Sequence, residues 1–418
     1  MNQSPSPSRF VAFRLFIMML LQFFIWGAWL PLVWSYMGGL GFTGNQIALV
    51  GSAFAIASII GIFFSNQFVD RAFSAERFLA CSHLIGGLAM IGLFFVKDFG
   101  PFFALMLVHS IFYVPTISVA NTLAFTHLKD AKRQFGAVRM GGTIGWIMAS
   151  WPLYFLLKGV AGDALQHAVG YIFIVAGSAS LLLAAFSLVL PHTPPRPVAQ
   201  TGDRLAWREA LGLLFSTPFL LVLFVVTFID STIHNGYFLL TGGFLGKIGV
   251  RPENIMPVMS IGQVAEILTM AALGLCLRKL GWKWTMTVGI LGHVARFLVF
   301  ACLSDQITLI IAVQVLHGIC YAFFFATLYI FIDVAFPNDV RTSAQGLFNL
   351  LVLGLGDLAA KWLFLPLQER FTVNGVTDYH RLFLVPAGMG VVAVLLLLFA
   401  FRPPATLDSG SAEKAALS

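Results

Sequence analysis

An all-α integral membrane protein of twelve transmembrane helices, arranged as two halves of six, is the fold class this sequence predicts, and three observations predict it. Of 418 residues, 59% are hydrophobic and only 10% charged, with 42 Phe and a mean hydropathy of +0.89. A soluble globular domain with that composition would aggregate. Apolar runs long enough to cross a bilayer, about 20 residues each, recur along nearly the whole chain. One long hydrophilic stretch, 191–217, divides them into two equal sets. No stretch remains for a soluble catalytic domain.

The first run, 15–37, follows Arg9 and Arg14 and lacks an A-x-A-like cleavage site, so it reads as a retained helix and not a signal peptide. The next, 47–69, is closed by Asp70 and Arg71; 78–96 is closed by Lys97 and Asp98; 101–127 ends before Lys129; 136–157 ends at Lys158. The sixth, 168–190, runs into Pro194, Pro195, Arg196 and Pro197, which with Arg204 and Arg208 mark a basic linker. In the second set, 218–241 precedes Lys247, 256–277 stops at Arg278 and Lys279, and 284–303 lies between Lys283 and Asp305. The last three, 307–332, 342–366 and 382–401, are delimited by Asp333, Arg341, Arg381 and Arg402. The expected organisation is an N-terminal six-helix bundle (1–190), a cytoplasmic linker (191–217), a C-terminal six-helix bundle (218–401) and a cytoplasmic tail (402–418).

Charge gives the orientation. With both termini in the cytoplasm, 16 of the 25 Lys and Arg fall on the cytoplasmic side and six on the other; Arg139, Arg296 and Lys361 remain inside spans. Basic residues are retained on the cytoplasmic face, so the bias supports a multi-pass protein with both termini inside. The net charge of +7 is scattered singly through loops and forms no basic tract, which gives no nucleic-acid partner. Cys81, Cys276, Cys302 and Cys320 form no C-x-x-C pair and have no metal-ligand spacing. No metal and no cofactor is expected. P-loop, H-E-x-x-H, G-x-S-x-G and dinucleotide patterns are missing, so ATP-driven pumping and hydrolysis have no support, and the chain reads as a non-enzyme.

Six plus six spans joined by a basic cytoplasmic linker is the layout of transporters of the major facilitator type, in which a solute site lies near mid-membrane between the halves. Ala53, Ala57 and Gly61, and Gly141 and Gly145, repeat at spacing four and would let helices approach closely and slide; ordinary membrane packing is the better account of them.

An ionisable side chain at mid-bilayer costs about 2.5 to 3.5 kcal/mol even on insertion scales, so such residues carry the information about function. Arg139, Thr143 and Trp146 lie on one face of the fifth span and offer a cation, a hydroxyl and a ring. Gln263 and Glu266, three apart in the eighth, offer an amide that both donates and accepts and an acid that can change protonation, a pair suited to a hydroxylated solute. The alternative is that Glu266 neutralises Arg139 or Arg296 and fastens helices. His317 and Tyr321, four apart in the tenth span, precede Phe323, Phe324 and Phe325; rings here can stack on a flat heterocycle, although lipid-facing filler explains most of the phenylalanines. Gln22, Trp26 and Trp29 in the first span and Asn235 in the seventh either bridge helices or touch solute. Asp357 and Lys361 have the spacing of an internal ion pair, and Asp333 with Arg341, like Asp70 with Arg71, is placed to gate or fasten loops.

Several ordered motifs are more specific. Gln22-Phe23-Phe24-Ile25-Trp26-Gly27-Ala28-Trp29 with Ser35-Tyr36-Met37, Pro115-Thr116 with Asn121-Thr122, Arg139 with Gly142-Thr143-Ile144-Gly145-Trp146, Ser260-x-x-Gln263-x-x-Glu266, Arg296-Phe297, and Arg341-x-Ser343-Ala344-Gln345-Gly346 follow one another along the chain. Together they resemble the nucleoside:proton symporter family of the major facilitator superfamily, from the first span to the last. The resemblance implies uptake of nucleosides coupled to proton entry, across a bacterial cytoplasmic membrane, by a monomer in the lipid bilayer working by alternating access. Carried over by position, it implies a nucleoside site of Arg139, Thr143, Trp146, Asn235, Gln263, Glu266, His317 and Tyr321, with Gln22, Trp26 and Arg296 in a second tier. Two departures stand out. Members of the family often carry an acid in the tenth span, in a motif like Tyr-Asp-Phe-Phe, where this chain has Tyr321-Ala322-Phe323-Phe324, which leaves Glu266 as the candidate for proton coupling. Gly141 stands where relatives can have Trp, and Trp146 where others have Phe. Another small polar solute such as a sugar, or a sensor that binds nucleoside without moving it, are the competing functions.

Overall fold

The structure is a computed structural model that describes residues 9–64, 74–128, 131–194, 203–337, 340–404 and 407. Asp70, Arg71, Lys129, Arg196, residues 65–69 of the second expected span, residues 195–202 of the linker and residues 408–418 of the tail lie outside the described residues. By internal contacts the chain divides into two compact units, Met1–Val198 with Pro252–Pro257, and Ala199–Arg251 with Val258–Ser418.

In the first unit, α1 (Arg9–Gly39) packs along α5 (Ala131–Leu157), α3 (Ala75–Phe95) packs on α4 (Phe99–His127), and α2 (Gly44–Phe64) also lies against α4. A short α6 (Asp163–Val169) leads through Gly170 into α7 (Tyr171–Ser187), which packs on α3. The α1–α5 contact needs glycine. A Cβ on Gly141 would come within 2.6 Å of the Phe16 carbonyl oxygen, and one on Gly145 would strike the backbone of Leu20. The two small residues singled out in the fifth span therefore serve close backbone approach.

The second unit opens with α8 (Asp203–Ser216), a helix inside the stretch expected to be linker. Its polar flank hides an amphipathic repeat: Ala210 and Leu214, four apart, are fully buried in the core of this unit. Thr217 then breaks the chain and Pro218 starts α9 (Pro218–Lys247), where a missing N–H is no loss. The helix α10 (Pro252–Cys302) is 51 residues long and non-helical only at Gly281, with φ 69 and ψ 179. At 1.5 Å per residue it would extend for roughly 75 Å, far more than one bilayer crossing, and Gly281 supplies the break between the eighth and ninth expected spans.

The tenth span is a composite of α11 (Ile307–Ala312), one 3₁₀ turn, α12 (Leu316–Cys320), a π-helical turn over Tyr321–Ala326 and α13 (Thr327–Ala335). Next come α14 (Arg341–Asn349), a second π turn over Leu350–Leu355, and α15 (Gly356–Arg370). A β-hairpin, Thr372–Val373 with Val376–Thr377, turns at Asn374 and Gly375, both with positive φ as a type I′ turn requires, and leads into α16 (Tyr379–Phe399). Phe323, Phe324 and Phe325, most of which the sequence expects to face lipid, are all buried with Trp282, Met286, Phe331 and Leu397 in the core. Three consecutive residues sweep roughly 200° of a helix surface, so this span is enclosed on most of its sides.

Among the described residues, nine helices are long and apolar enough to cross a membrane by length and composition, α10 counted as one; α2 carries a shorter apolar stretch, Gly44–Ile60.

Candidate functional site

In the first unit, the face of α5 predicted from spacing is built against α1. The Arg139 guanidinium lies 4.0 Å from the ring centre of Phe23, a cation–π contact. Gly142 makes room for it: a Cβ there would meet the Arg139 Nη1 at 2.5 Å and the Phe23 ring at 2.7 Å. Trp146 rests on Gly27 and meets Trp26 edge to face at 5.7 Å, while Trp26 stacks on Phe54 at 4.9 Å. Arg139, Thr143 and Trp146 are all half-buried. The stripe is thus a partly accessible row of cation, hydroxyl and indole backed by aromatic rings.

Beside it runs a buried polar chain that spacing alone did not single out. Gln22 donates its amide to Thr116 Oγ1 at 2.8 Å, and its Oε1 lies 2.9 Å from His83 Nε2. His83 Nδ1 is 3.2 Å from Ser180 Oγ, which also donates to the His83 carbonyl at 2.9 Å. Tyr113 OH donates to the Gln22 carbonyl at 2.6 Å, and His109 stacks on Tyr113. The chain ties α1, α3, α4 and α7 together, so Gln22 bridges helices. A signal was present: His83 and His109 sit in the interior of apolar runs, where an ionisable side chain needs a reason.

In the second unit, the first half of α10 and the tenth span touch backbone to backbone. A Cβ on Gly262 would come within 2.7 Å of the His317 Cβ, one on Gly318 within 2.5 Å of the Ala265 carbonyl carbon, and Thr269 Oγ1 donates to the Gly318 carbonyl at 2.9 Å. That contact brings the turn of α10 that carries Gln263 and Glu266 against the turn that carries His317 and Gly318. Gln263 is buried, and among the described residues its Oε1 has no hydrogen-bond partner; a buried amide oxygen left open costs stability unless a ligand fills it. Glu266 and Tyr321 are half-buried. Asn235 is employed otherwise: its Nδ2 donates to the carbonyls of Ser231 at 2.9 Å and Val352 at 3.3 Å, the latter in the second π turn. It bridges helices.

Around His317 the structure assembles a cluster that the sequence reading largely missed. Arg296 is fully buried, lies over the Tyr237 ring at 3.9 Å, and reaches His317 Nδ1 at 3.1 Å and His293 Nδ1 at 2.9 Å. Tyr237 OH donates to Gln314 Oε1 at 2.8 Å. His234 stacks on His317 at 5.1 Å and lies 6.1 Å from the Tyr321 ring. Asp230 approaches His293 Nε2 at 3.8 Å. Residues 230, 234 and 237 repeat at spacings of four and three, as 139, 143 and 146 do, so the face was detectable. The internal pair Asp357–Lys361 forms as its spacing predicts, and Arg341 Nη1 meets Asp333 Oδ1 at 3.1 Å. Among the described residues, no group of three or more His, Cys, Asp or Glu is placed to hold a metal ion.

The comparisons with known proteins bear on this arrangement. The model of a family described as nucleoside H+ symporter matches residues 10–406. The putative nucleoside transporter YegT of Escherichia coli K12 is 31% identical over 398 residues, covering 92% of this chain and 93% of that protein. The xanthosine permease of the same organism is 30% identical, covering 94% of this chain and 96% of the permease. A crystal structure of the nucleoside transporter NupG superposes with a TM-score of 0.81 at 26% identity, covering 94% of this chain and all of that one. The D-xylose-proton symporter, with a TM-score of 0.74 at 14% identity, shares the fold alone. The architecture is the major facilitator fold, and these relatives are transporters, not enzymes.

Proposed function

The chain belongs to the nucleoside H+ symporter family, and from that premise we propose that it takes up nucleosides with protons by alternating access. The bundles 1–190 and 218–401, joined by the linker 191–217, are the two halves of that cycle. The protein works as a multi-pass monomer in the lipid bilayer of the bacterial cytoplasmic membrane, with both termini in the cytoplasm.

The observation that carries this reading is Gln263, whose buried Oε1 has no partner among the described residues and which follows Gly262, the residue packed against His317. An amide and a carboxylate three residues apart are suited to the adjacent hydroxyls of a ribose, one accepting and the other both donating and accepting. The half-buried ring of Tyr321 offers a face to a flat base and His317, stacked against His234, offers its edge. Arg139 and Thr143 of the first unit offer donors of their own, and Trp146 a ring. Asn235, held by two backbone carbonyls, contributes by fixing α9 against the π turn rather than through its amide nitrogen. With Ala322 where relatives carry an acid, Glu266 is the group at this site that can take up a proton and release it.

Thermal unfolding of the detergent-purified protein with nucleosides, nucleobases and sugars, at acid and neutral pH, tests the proposal, because a ligand bound by the native state raises its stability by mass action. Stabilisation by nucleosides alone, lost in Gln263→Ala, is expected. A sugar acting where nucleosides do nothing would overturn it.

A further inference from the structure

Asp230, on α9, is fully buried, and among the described residues neither of its carboxyl oxygens has a hydrogen-bond partner. His293 Nε2 lies 3.8 Å from its Oδ1, beyond hydrogen-bond length. Arg296 can only donate, so the two imidazole nitrogens it reaches, Nδ1 of His293 and Nδ1 of His317, accept, and each neutral ring carries its proton on Nε2. The Nε2–H of His293 thus lies 3.8 Å from a carboxylate oxygen, and His317 keeps an N–H donor on its Nε2. One chain of contacts connects Asp230, His293, Arg296 and His317.

We infer that Asp230 is a second proton-binding site, separate from Glu266, and that its proton is linked to nucleoside affinity through His293, Arg296 and His317. The inference rests on the uptake of nucleosides proposed above. Ionised, Asp230 offsets the charge of Arg296 and draws on the His293 N–H. Once a proton from water adds to a carboxyl oxygen as O–H, Arg296 is left as a buried cation among neutral rings. Its charge then polarises His317, whose Nε2–H becomes a better donor to a carbonyl or ring nitrogen of a base. Proton binding therefore favours nucleoside binding, and by reciprocity nucleoside binding favours proton uptake, which is the sign that symport requires.

The surroundings hold few competitors. On α9 itself they are His234 and Tyr237, and from the tenth span His317 and Cys320. On α15, packed against α9, Asp357 and Lys361 close on each other. On α16 the titratable residues, Tyr379, His380 and Arg381, sit at its start, and the π turn 350–355 carries none. From α8, Arg208 and Glu209 lie more than twenty residues before Asp230, beyond the start of α9.

The test is an infrared titration of the purified protein, following the C=O stretch of protonated carboxyl groups with and without uridine, in the wild type, Asp230→Asn, Asp230→Glu and Glu266→Gln. The wild type is expected to show a buried-carboxyl band that titrates, gains intensity on adding uridine, disappears in Asp230→Asn, moves in Asp230→Glu and survives in Glu266→Gln. In parallel, the pH dependence of uridine affinity, as steep as about tenfold per pH unit for one linked proton, should flatten in Asp230→Asn. If uridine binds but the Asp230 band ignores it, or if Asp230→Asn leaves the pH dependence whole, the linkage is overturned. If uridine does not bind the wild type at all, the nucleoside reading fails, while the band and its loss in Asp230→Asn still decide whether Asp230 titrates.

Discussion

Arg296 lies flat over the ring of Tyr237, 3.9 Å from its centre, and from there its two terminal nitrogens reach one histidine each, His293 and His317. Planarity makes this possible: one face stacks while the fork donates in the same plane. Lysine is a point charge on a flexible stem and cannot do both. Arg296→Lys is therefore expected to cost about 1.5 to 3 kcal/mol, as lost hydrogen bonds to a charged group do, seen as a lower midpoint in thermal unfolding. An unchanged midpoint would mean that the guanidinium geometry carries no weight.

Gln263→Ala should weaken nucleoside binding by about tenfold, the worth of one ligand hydrogen bond, while changing the unliganded protein's stability little or raising it slightly, because the open Oε1 is removed. Titration calorimetry together with unfolding of the free protein separates the two effects. A large loss of stability without ligand would mean that Gln263 is a structural residue.

The glycines of α5 make a sharp contrast with one in α10. Gly145→Val would drive a branched side chain into the backbone of Leu20 and should cost about 1 to 3 kcal/mol or prevent assembly. Gly274→Ala meets nothing within 4 Å and should be neutral or stabilising by about 0.4 to 1 kcal/mol. Yield of monodisperse protein and its unfolding midpoint check both.

Much of this fold is legible in the sequence because each apolar run reports its own burial in lipid. The break at Gly281 lies in the basic gap between two runs, and the pair Asp357–Lys361 follows from spacing within one helix. What is not legible is assembly. Asp230, His293 and His317 come from three spans, and no local pattern ties residue 230 to residue 293. The helix 203–216 was concealed by the charges around Ala210 and Leu214. Asn235 and Gln22 look like solute ligands in sequence, since a polar residue in an apolar run reads the same whether it meets a backbone carbonyl or a ligand.

The chain through Gln22 gives a test of coupling. Removing one member leaves the others unsatisfied, so Gln22→Leu and His83→Leu should each destabilise by about 1 to 3 kcal/mol. The double variant should cost less than their sum, with an interaction energy of about 0.5 to 3 kcal/mol from a double-mutant cycle in thermal unfolding. Strict additivity would mean that the 2.9 Å contact between them contributes nothing.

The most direct test of the central claim is accumulation of labelled uridine or adenosine by protein reconstituted in vesicles, with and without an inward proton gradient, in the wild type and Glu266→Gln. Accumulation above equilibrium only with the gradient, abolished in Glu266→Gln, is the predicted result. Nucleoside that merely equilibrates whatever the gradient, or that accumulates as well in Glu266→Gln, would contradict the proton role given to this site.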